Sequence, residues 1–382
     1  MNVTQSVQER YGAAAHKPEA ALCCPIDYDP QFLKVIPAEV LERDYGCGDP
    51  SRYVRAGETV LDLGSGGGKI CFIASQVVGK TGRIIGVDRN RDMLDLARRS
   101  APAVAQQMGF SNVAFRCGSI QDLALDLEKV EQWLSNHPIC NREDLFALEA
   151  EQARLRREEP MISDDSIDVV VSNCVLNLVD EVDRGRLFKE LYRVVKTGGR
   201  VAISDIVCDE DVPEHQRKDP ELWSGCISGA FREDLFLQAF AEAGFHGVEM
   251  VKRDEKPWQV VEGIEFRSVT VVAHKGKVGP CVEGLHAVIY PGPWSEVKDD
   301  DGHIFPRGQR VAVCEKTFKL LTREPYGEQI IPVPPYRELE ENEKSSFLCQ
   351  GLHLRDPRQT KVGGFPVSET SGSACCEPGK CC

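Results

Sequence analysis

Val60-Leu-Asp-Leu-Gly-Ser-Gly-Gly-Gly68 reads as an apolar strand emptying into a glycine-rich turn, and Lys69 to Val78 continues as a helix. Glycine at such a turn lets the backbone approach a ligand without interference from Cβ. The alternation then repeats. Thr59 to Leu63 is the first strand, and Arg83 to Val87 is a second that ends at Asp88. Arg91 to Met108 is an amphipathic helix, Val113 to Arg116 a third strand and Ile167 to Ser172 a fourth. A helix around Arg184 to Val195 follows, and Gly198-Gly199 turns into a fifth strand, Arg200 to Ser204. Apolar strands separated by helices predict a parallel sheet covered on both faces. In such a sheet, ligands bind in the crevice at the carboxyl ends of the strands.

Beyond the fifth strand the pattern changes. Glu233 to Ala243 reads as a helix closed by Gly244, a natural C-cap. Gly247 to Lys252 and Phe266 to Ala273 predict a final antiparallel pair, which completes a seven-stranded α/β sheet. The chain reads as four parts. An N-terminal segment, 1–50, serves as a lid. A core, 51–274, carries a helical insertion at about 121–163, exemplified by Phe146 to Arg157. A β-rich region, 275–362, has expected strands at Ala287 to Tyr290 and Arg310 to Phe318, and 363–382 is a flexible cysteine-rich tail.

Composition narrows the function. The chain of 382 residues carries a net charge of −14 with no long basic block, which argues against a protein that tracks nucleic-acid phosphates and suits a cationic cofactor. No run approaches 18 apolar residues, and the first residues lack a secretory pattern, so a cytoplasmic address is expected. Sixteen cysteines in a reducing compartment point to metal, metalloid or redox chemistry for some, with the others as small buried hydrophobes.

The turn excludes two common nucleotide motifs. A dinucleotide fingerprint needs glycine where Lys69 stands, and a P-loop needs glycine at Leu63 and a hydroxyl residue at Ile70. What remains is Asp62-x-Gly64-x-Gly66-x-Gly68, with Asp88 placed to accept ribose hydroxyls. Together these residues resemble the class I S-adenosylmethionine methyltransferases over roughly residues 50–274. The resemblance implies a Rossmann-like seven-stranded core with S-adenosylmethionine as cofactor. Gly64 and Gly66 would line its methionine part, with Asp62 and Ser65 as further cofactor-binding residues, Asp88 would hold the ribose, and Met93 would pack near the adenine. Gly118-Ser119-Ile120 would edge the adenine, and Tyr45 and Asn173 complete the implied cofactor set.

Four cysteine positions stand out. Cys174 follows the fourth strand in Ile167-Asp-Val-Val-Val-Ser-Asn-Cys-Val-Leu-Asn177, which aims a soft sulfur at the carboxyl edge. Cys226, in Trp223-Ser-Gly-Cys-Ile-Ser-Gly-Ala230, lies after the fifth strand at the same edge. Cys47 lies in Tyr45-Gly-Cys-Gly48 just ahead of the core, and Cys24 belongs to the pair Cys23-Cys24. Three thiolates beside a methyl sulfonium suit a thiophilic centre. Trivalent arsenic fits, because three sulfur ligands leave its lone pair free to attack a methyl group.

The three motifs on this core resemble the arsenite methyltransferases. That resemblance implies Cys47, Cys174 and Cys226 as catalytic residues that ligate trivalent arsenic, with Cys24, preferred over Cys23, as a further catalytic cysteine. It implies thiols that lose protons as arsenite binds, and acceleration mainly by positioning, with no general base at the nucleophile. A disulfide that draws in Cys24 would return arsenic to trivalency, and an external reductant such as thioredoxin or glutathione would reset it. The expected substrate is arsenite as a thiol conjugate, converted to methylated arsenicals; no nucleic acid or membrane partner is expected, and the chain is expected to be a monomer.

Two other classes stay open on the residues alone. A methyltransferase for a quinone- or sterol-like acceptor would need an acid or base near that acceptor. A metalloid-binding sink would bind arsenite with the Asp62/Asp88 site destroyed. A zinc site is disfavoured, since no Cys-x-x-Cys occurs and histidines are sparse. Cys71, Cys117, Cys208, Cys281 and Cys314 read as structural, and His137 as a surface residue. The vicinal pairs Cys375-Cys376 and Cys381-Cys382 read either as a soft-ion relay or as a redox-labile end without a role.

Overall fold

The computed structural model describes residues 3–19, 26 and 28–361. The chain divides into two compact units, Met1–Gly276 and Lys277–Cys382.

The first unit is built on strands β1 (Thr59–Leu63), β2 (Arg83–Asp88), β3 (Val113–Cys117), β4 (Ile167–Asn173), β5 (Val195–Cys208), β6 (His246–Arg253) and β7 (Ile264–His274). They lie in the order β3-β2-β1-β4-β5-β7-β6. The first five pair in parallel, while β7 is antiparallel to both β5 and β6. The seven-stranded expectation holds along this path, and two short strands, Phe231–Arg232 and Gln259–Val261, pair beside it. β5 runs well past its expected Arg200–Ser204 span, because β7 pairs with it from Arg200↔His274 to Cys208↔Phe266.

Helices cover both faces: α1 (Val3–His16), α2 (Lys69–Val78), α3 (Arg91–Met108), α4 (Leu127–Asn136), α5 (Arg142–Glu158), α6 (Glu181–Val194) and α7 (Glu233–Glu242). Strand side chains alternate between faces, and here both faces are buried. Leu61, Leu63, Val170, Ile203 and Val271 pack in one core with Leu187 and Phe188 of α6 and Phe236 and Phe240 of α7. Val60, Val169, Val171 and Ala202 pack in another with Ile70 and Phe72 of α2 and Leu94 and Leu96 of α3. This double burial explains the near-continuous apolar runs. Each large apolar side chain taken fully out of water contributes about 1.5–3 kcal/mol. The Asn90 side chain caps α3 by accepting from Met93 N at 3.1 Å, and Gly109, at φ +78, closes it.

Residues 121–163 supply α4 and α5, which share a small core of Leu125, Val130 and Leu155. An Asn141–Asp144 capping box starts α5.

In the second unit, Ala287–Ile289 lies between Arg310–Ala312 and Ile331–Val333 in an antiparallel sheet. Val288, Tyr290, Phe305, Val311 and Leu321 form its core. The expected strand from Arg310 to Phe318 is corrected here: it ends by Ala312, and Glu315–Leu321 is a helix. Cys314 makes the switch, since its backbone is extended while its sulfur accepts from Thr317 N at 3.3 Å. Cys281 and Cys314, read from sequence as separate structural thiols, converge with Cys349.

Gly86 tests the packing between β2 and its neighbours. A Cβ there would lie 2.7 Å from the Phe115 ring and 2.9 Å from Cys71 Sγ. Gly86→Val is expected to cost about 1–3 kcal/mol through overpacking, read as a lowered denaturant midpoint. An unchanged midpoint would contradict this packing.

Candidate active site

The turn after β1 does what its glycines suggest. Gly64, Gly66 and Gly68 have φ of +66, +50 and +90, a region L-residues rarely enter. Gly64 N and Ser65 N both donate to Val87 O, at 2.8 and 3.1 Å, which locks the turn to the end of β2. A Cβ on Gly64 would meet Val175 at 2.5 Å, whereas nothing lies within 4 Å of one on Gly66. Asp88 fixes the far side of the turn: one carboxylate oxygen accepts from Gly66 N at 2.8 Å and the other from Asn90 N at 2.7 Å.

These groups open onto one cavity. Asp62, Gly64, Ser65, Gly66 and Asp88 form its floor. Met93, Ser119 and Ile120 line one side, and Tyr45, Asn173 and Cys174 line another. The ten residues expected from sequence to meet the cofactor therefore share one cavity, with Cys174 in its wall.

The cavity is acidic. Burial pushes the Asp62 carboxyl up to about 7, partly offset by the Cys71 thiol, which donates to it at 3.2 Å. Burial raises Asp88 too, against the pull of its backbone donors. Asp180 and Asp183 also face the space. Asp44 lines it as well and pairs with Lys69 at 2.8 Å.

One wall comes from a helix that the sequence reading did not place, within the 1–50 segment expected as a lid. α1 contributes Gln8 and Tyr11 to the lining. It is tied down by Asn90 Nδ2 donating to Gln8 O at 3.1 Å and by the Tyr45 hydroxyl donating to Ala14 O at 3.0 Å. Tyr11 packs edge-on against Tyr45, with ring centroids 6.1 Å apart. Burial, followed by the proximity of Cys226, pushes the Tyr11 phenol well above its usual range.

Cys47 and Cys226 both lie against Cys174. Cys47 and Cys174 are joined as a disulfide with Cα atoms 5.8 Å apart, so this form presents no three-thiol seat until it is reduced. Cys226 Sγ lies 3.5 Å from the Cys174 carbonyl oxygen, and all three residues are buried. Cys24 lies outside the described residues, as does the 363–382 tail. Cys174 and Cys226 both hold left-handed backbone, at φ +60 and +61, a conformation that costs a non-glycine residue about 1–3 kcal/mol.

Asn173 and the glycines of Tyr45-Gly-Cys-Gly48 position Cys47. Asn173 Oδ1 accepts from Cys47 N at 2.8 Å and Gly48 N at 3.0 Å, while Nδ2 donates to Gly48 O at 2.7 Å. The fit leaves no room for side chains: a Cβ on Gly46 would fall 2.1 Å from Asn173 Nδ2, and one on Gly48 2.5 Å from Ser204 Oγ. A second residue absent from the sequence reading is Asp205, which groups with both sulfurs, all within 4.8 Å. It accepts from Leu176 N at 2.9 Å, Asn177 N at 3.3 Å and Ile206 N at 2.8 Å, and burial pushes it up to about 7. Its signal was an acid inside the apolar run of β5.

A family model described as a methyltransferase domain matches residues 55–154 and 141–244, and one described as a domain of unknown function matches 277–365. An arsenite methyltransferase of Aquipseudomonas alcaligenes is 30% identical over 338 residues, which are 83% of this chain and 87% of that protein. The chain belongs to the arsenite methyltransferase family. The human arsenite methyltransferase is 28% identical across 92% of this family member and 87% of its own length. A crystal structure of an arsenic(III) S-adenosylmethionine methyltransferase from Chlamydomonas reinhardtii supports the fold, with a TM-score of 0.55 at 24% identity over 89% of this chain and 99% of that one.

Asn173→Ala would leave Cys47 N and Gly48 N without these partners, while Gly48 O keeps the Tyr28 hydroxyl at 3.2 Å. Each buried group so stranded costs about 1–3 kcal/mol, so denaturant unfolding is expected to show a loss of at least about 2 kcal/mol. A near-neutral result would remove Asn173 as the anchor of the Cys47 loop.

Proposed function

We propose that the protein methylates trivalent arsenic, taking methyl groups from S-adenosylmethionine and giving methylated arsenicals. The observation that carries this reading is the adjacency of Cys47, Cys174 and Cys226 at a wall of the acidic cavity. The cavity suits the cofactor. Gly66 leaves space that a Cβ would fill, Asp62 offers a carboxylate to a ligand bearing sulfonium and ammonium charge, and Asp88 offers one to its ribose hydroxyls. When bound, S-adenosylmethionine supplies an electrophilic methyl group next to its sulfonium sulfur.

The chain's own residues do the rest. Asp62 counters positive charge, Asp88 accepts the ribose hydroxyls, and Cys174 brings the sulfur pair to the cavity lining. Once the Cys47–Cys174 disulfide is reduced, these two sulfurs and Cys226 are positioned to replace the hydroxyls of arsenite, with release of water. Arsenic held by sulfur keeps its lone pair for the methyl carbon, so no residue has to remove a proton from the nucleophile. Positioning is then the main source of acceleration.

Methyl transfer raises arsenic to the pentavalent state. Breaking its bonds to Cys47 and Cys174 while those sulfurs join returns two electrons to arsenic and leaves the disulfide present in the structure. An external thiol such as thioredoxin or glutathione resets the pair. Cys24, in this reading, serves as a further exchange partner during that cycle.

Cys174→Ser and Cys226→Ser are each expected to lower arsenite methylation by at least about a hundredfold, the order lost when reacting atoms are misplaced. Incubation with arsenite, excess thiol and labelled S-adenosylmethionine, followed by separation of arsenic species, reads the outcome. Normal product from both variants would overturn the assignment and favour another methyl acceptor.

Asp62 also gives a pH dependence. Its pKa of about 7 is raised, and a cationic ligand favours the ionised form, so binding releases a proton. Affinity for S-adenosylmethionine should therefore fall as pH drops below 7, by up to about tenfold per unit. Calorimetry from pH 8 to 6 checks this, and Asp62→Asn should flatten the profile. A flat profile in the unaltered protein would exclude Asp62 as the counter-charge.

A further inference from the structure

We propose that Cys281, Cys314 and Cys349 form a second thiol site, within the Lys277–Cys382 unit, that binds trivalent arsenic as a tris-thiolate. Their three sulfurs all lie within 4.8 Å of one another. They come from three distant segments, so the fold gathers them. The strand Val282–Glu283 pairs antiparallel with Ser345–Ser346, and Phe347 N donates to Cys281 O at 2.9 Å, which carries Cys349 back towards Cys281. Cys314 enters from the start of the Glu315–Leu321 helix, its sulfur fixed by Thr317 N at 3.3 Å and 3.2 Å from Thr317 Oγ1.

The cluster has features of a binding site. None of the three cysteines is in a disulfide. Cys314 is buried, while Cys281 and Cys349 are half-buried, so the cluster is reachable from solvent.

Geometry selects the ligand class. Three sulfurs bonded to one thiophilic ion at about 2.3 Å, the zinc–sulfur distance, lie about 4 Å apart or less, so these three, already within 4.8 Å of one another, need to close by no more than about 1 Å. A closed structural zinc site needs four ligands, and among the described residues this group offers three sulfurs with no fourth His, Cys, Asp or Glu. Trivalent arsenic needs only three. In the exchange, three arsenic–oxygen bonds of arsenite break, three arsenic–sulfur bonds form, and the thiol protons leave with the hydroxyls as three waters. No electrons change hands. The choice of arsenic over other three-coordinate soft ions rests on the activity proposed above; the existence of the site does not.

The test uses the reduced full-length chain with Cys375, Cys376, Cys381 and Cys382 replaced by serine, so that tail thiols do not contribute. The protein is equilibrated with arsenite and desalted, and arsenic and zinc per chain are counted by mass spectrometry. Adding Cys281→Ser and Cys349→Ser should remove one arsenic per chain. In a Cys47→Ser, Cys174→Ser, Cys226→Ser version of that tail-substituted chain, with Cys281, Cys314 and Cys349 intact, arsenic should persist, with three sulfur neighbours by X-ray absorption. Methylation is assayed separately, so a failed methyl-transfer reading and a failed second site give different results. To guard against misfolding of the variants, the unaltered chain is also alkylated with and without arsenite, which should protect Cys281 and Cys349 in peptide maps. An unchanged arsenic count with unprotected thiols would overturn the proposal, as would a tightly held zinc that arsenite does not displace.

Discussion

Parallel pairing of β1 with β2 on one side and β4 on the other is the constraint on which the site depends. Register places Leu63 beside both Val87 and Ser172. The glycine turn, Asp88 and Cys174 therefore leave the sheet at neighbouring points of one edge. Residues far apart in the chain become the floor and wall of one cavity without any long-range contact having to place them individually. The apolar strands supply the stability, and the edge supplies polar groups at positions the ladder has already fixed.

That arrangement carries an electrostatic cost. Asp62, Asp88 and Asp205 are all raised by burial, so each disfavours its own ionisation in the structure as it stands. Backbone N–H groups offset part of this at Asp88 and Asp205. Asp205 differs in purpose from the other two. Two of its three backbone donors, Leu176 N and Asn177 N, follow Cys174, so it stitches β5 to the loop beyond β4, and the third, Ile206 N, lies on β5 itself.

Much of this was legible in the sequence because it is local. Strand runs, the turn at Gly64 to Gly68 and the acid at Asp88 depend on spacing within about thirty residues, the span of one strand–helix–strand unit. The motif around Cys47 was legible as a pattern, but its cause was not, since Gly46 and Gly48 are small to fit Asn173 and Ser204. α1 gave no signal because nothing in Val3–His16 marks which groove it fills. Left-handed backbone at Cys174 and Cys226 is invisible in residues that ordinarily avoid it. The Cys281 cluster was missed because Cys281 and Cys314 were each read against their own segment and Cys349 was not singled out, whereas strand pairing and a helix start bring the three together. The misread strand at Arg310 to Phe318 has the same origin: a side chain capping a helix outweighed the local alternation.

Asn173 has a place in two environments at once. One side of it faces the cavity, and its amide grips the loop that carries Cys47. A ligand pressing on that side chain and a change in the bonding of Cys47 act on the same group, and thermodynamic linkage makes any such influence reciprocal. The cavity and the sulfur pair therefore meet at one amide, a short path for any exchange of influence between them.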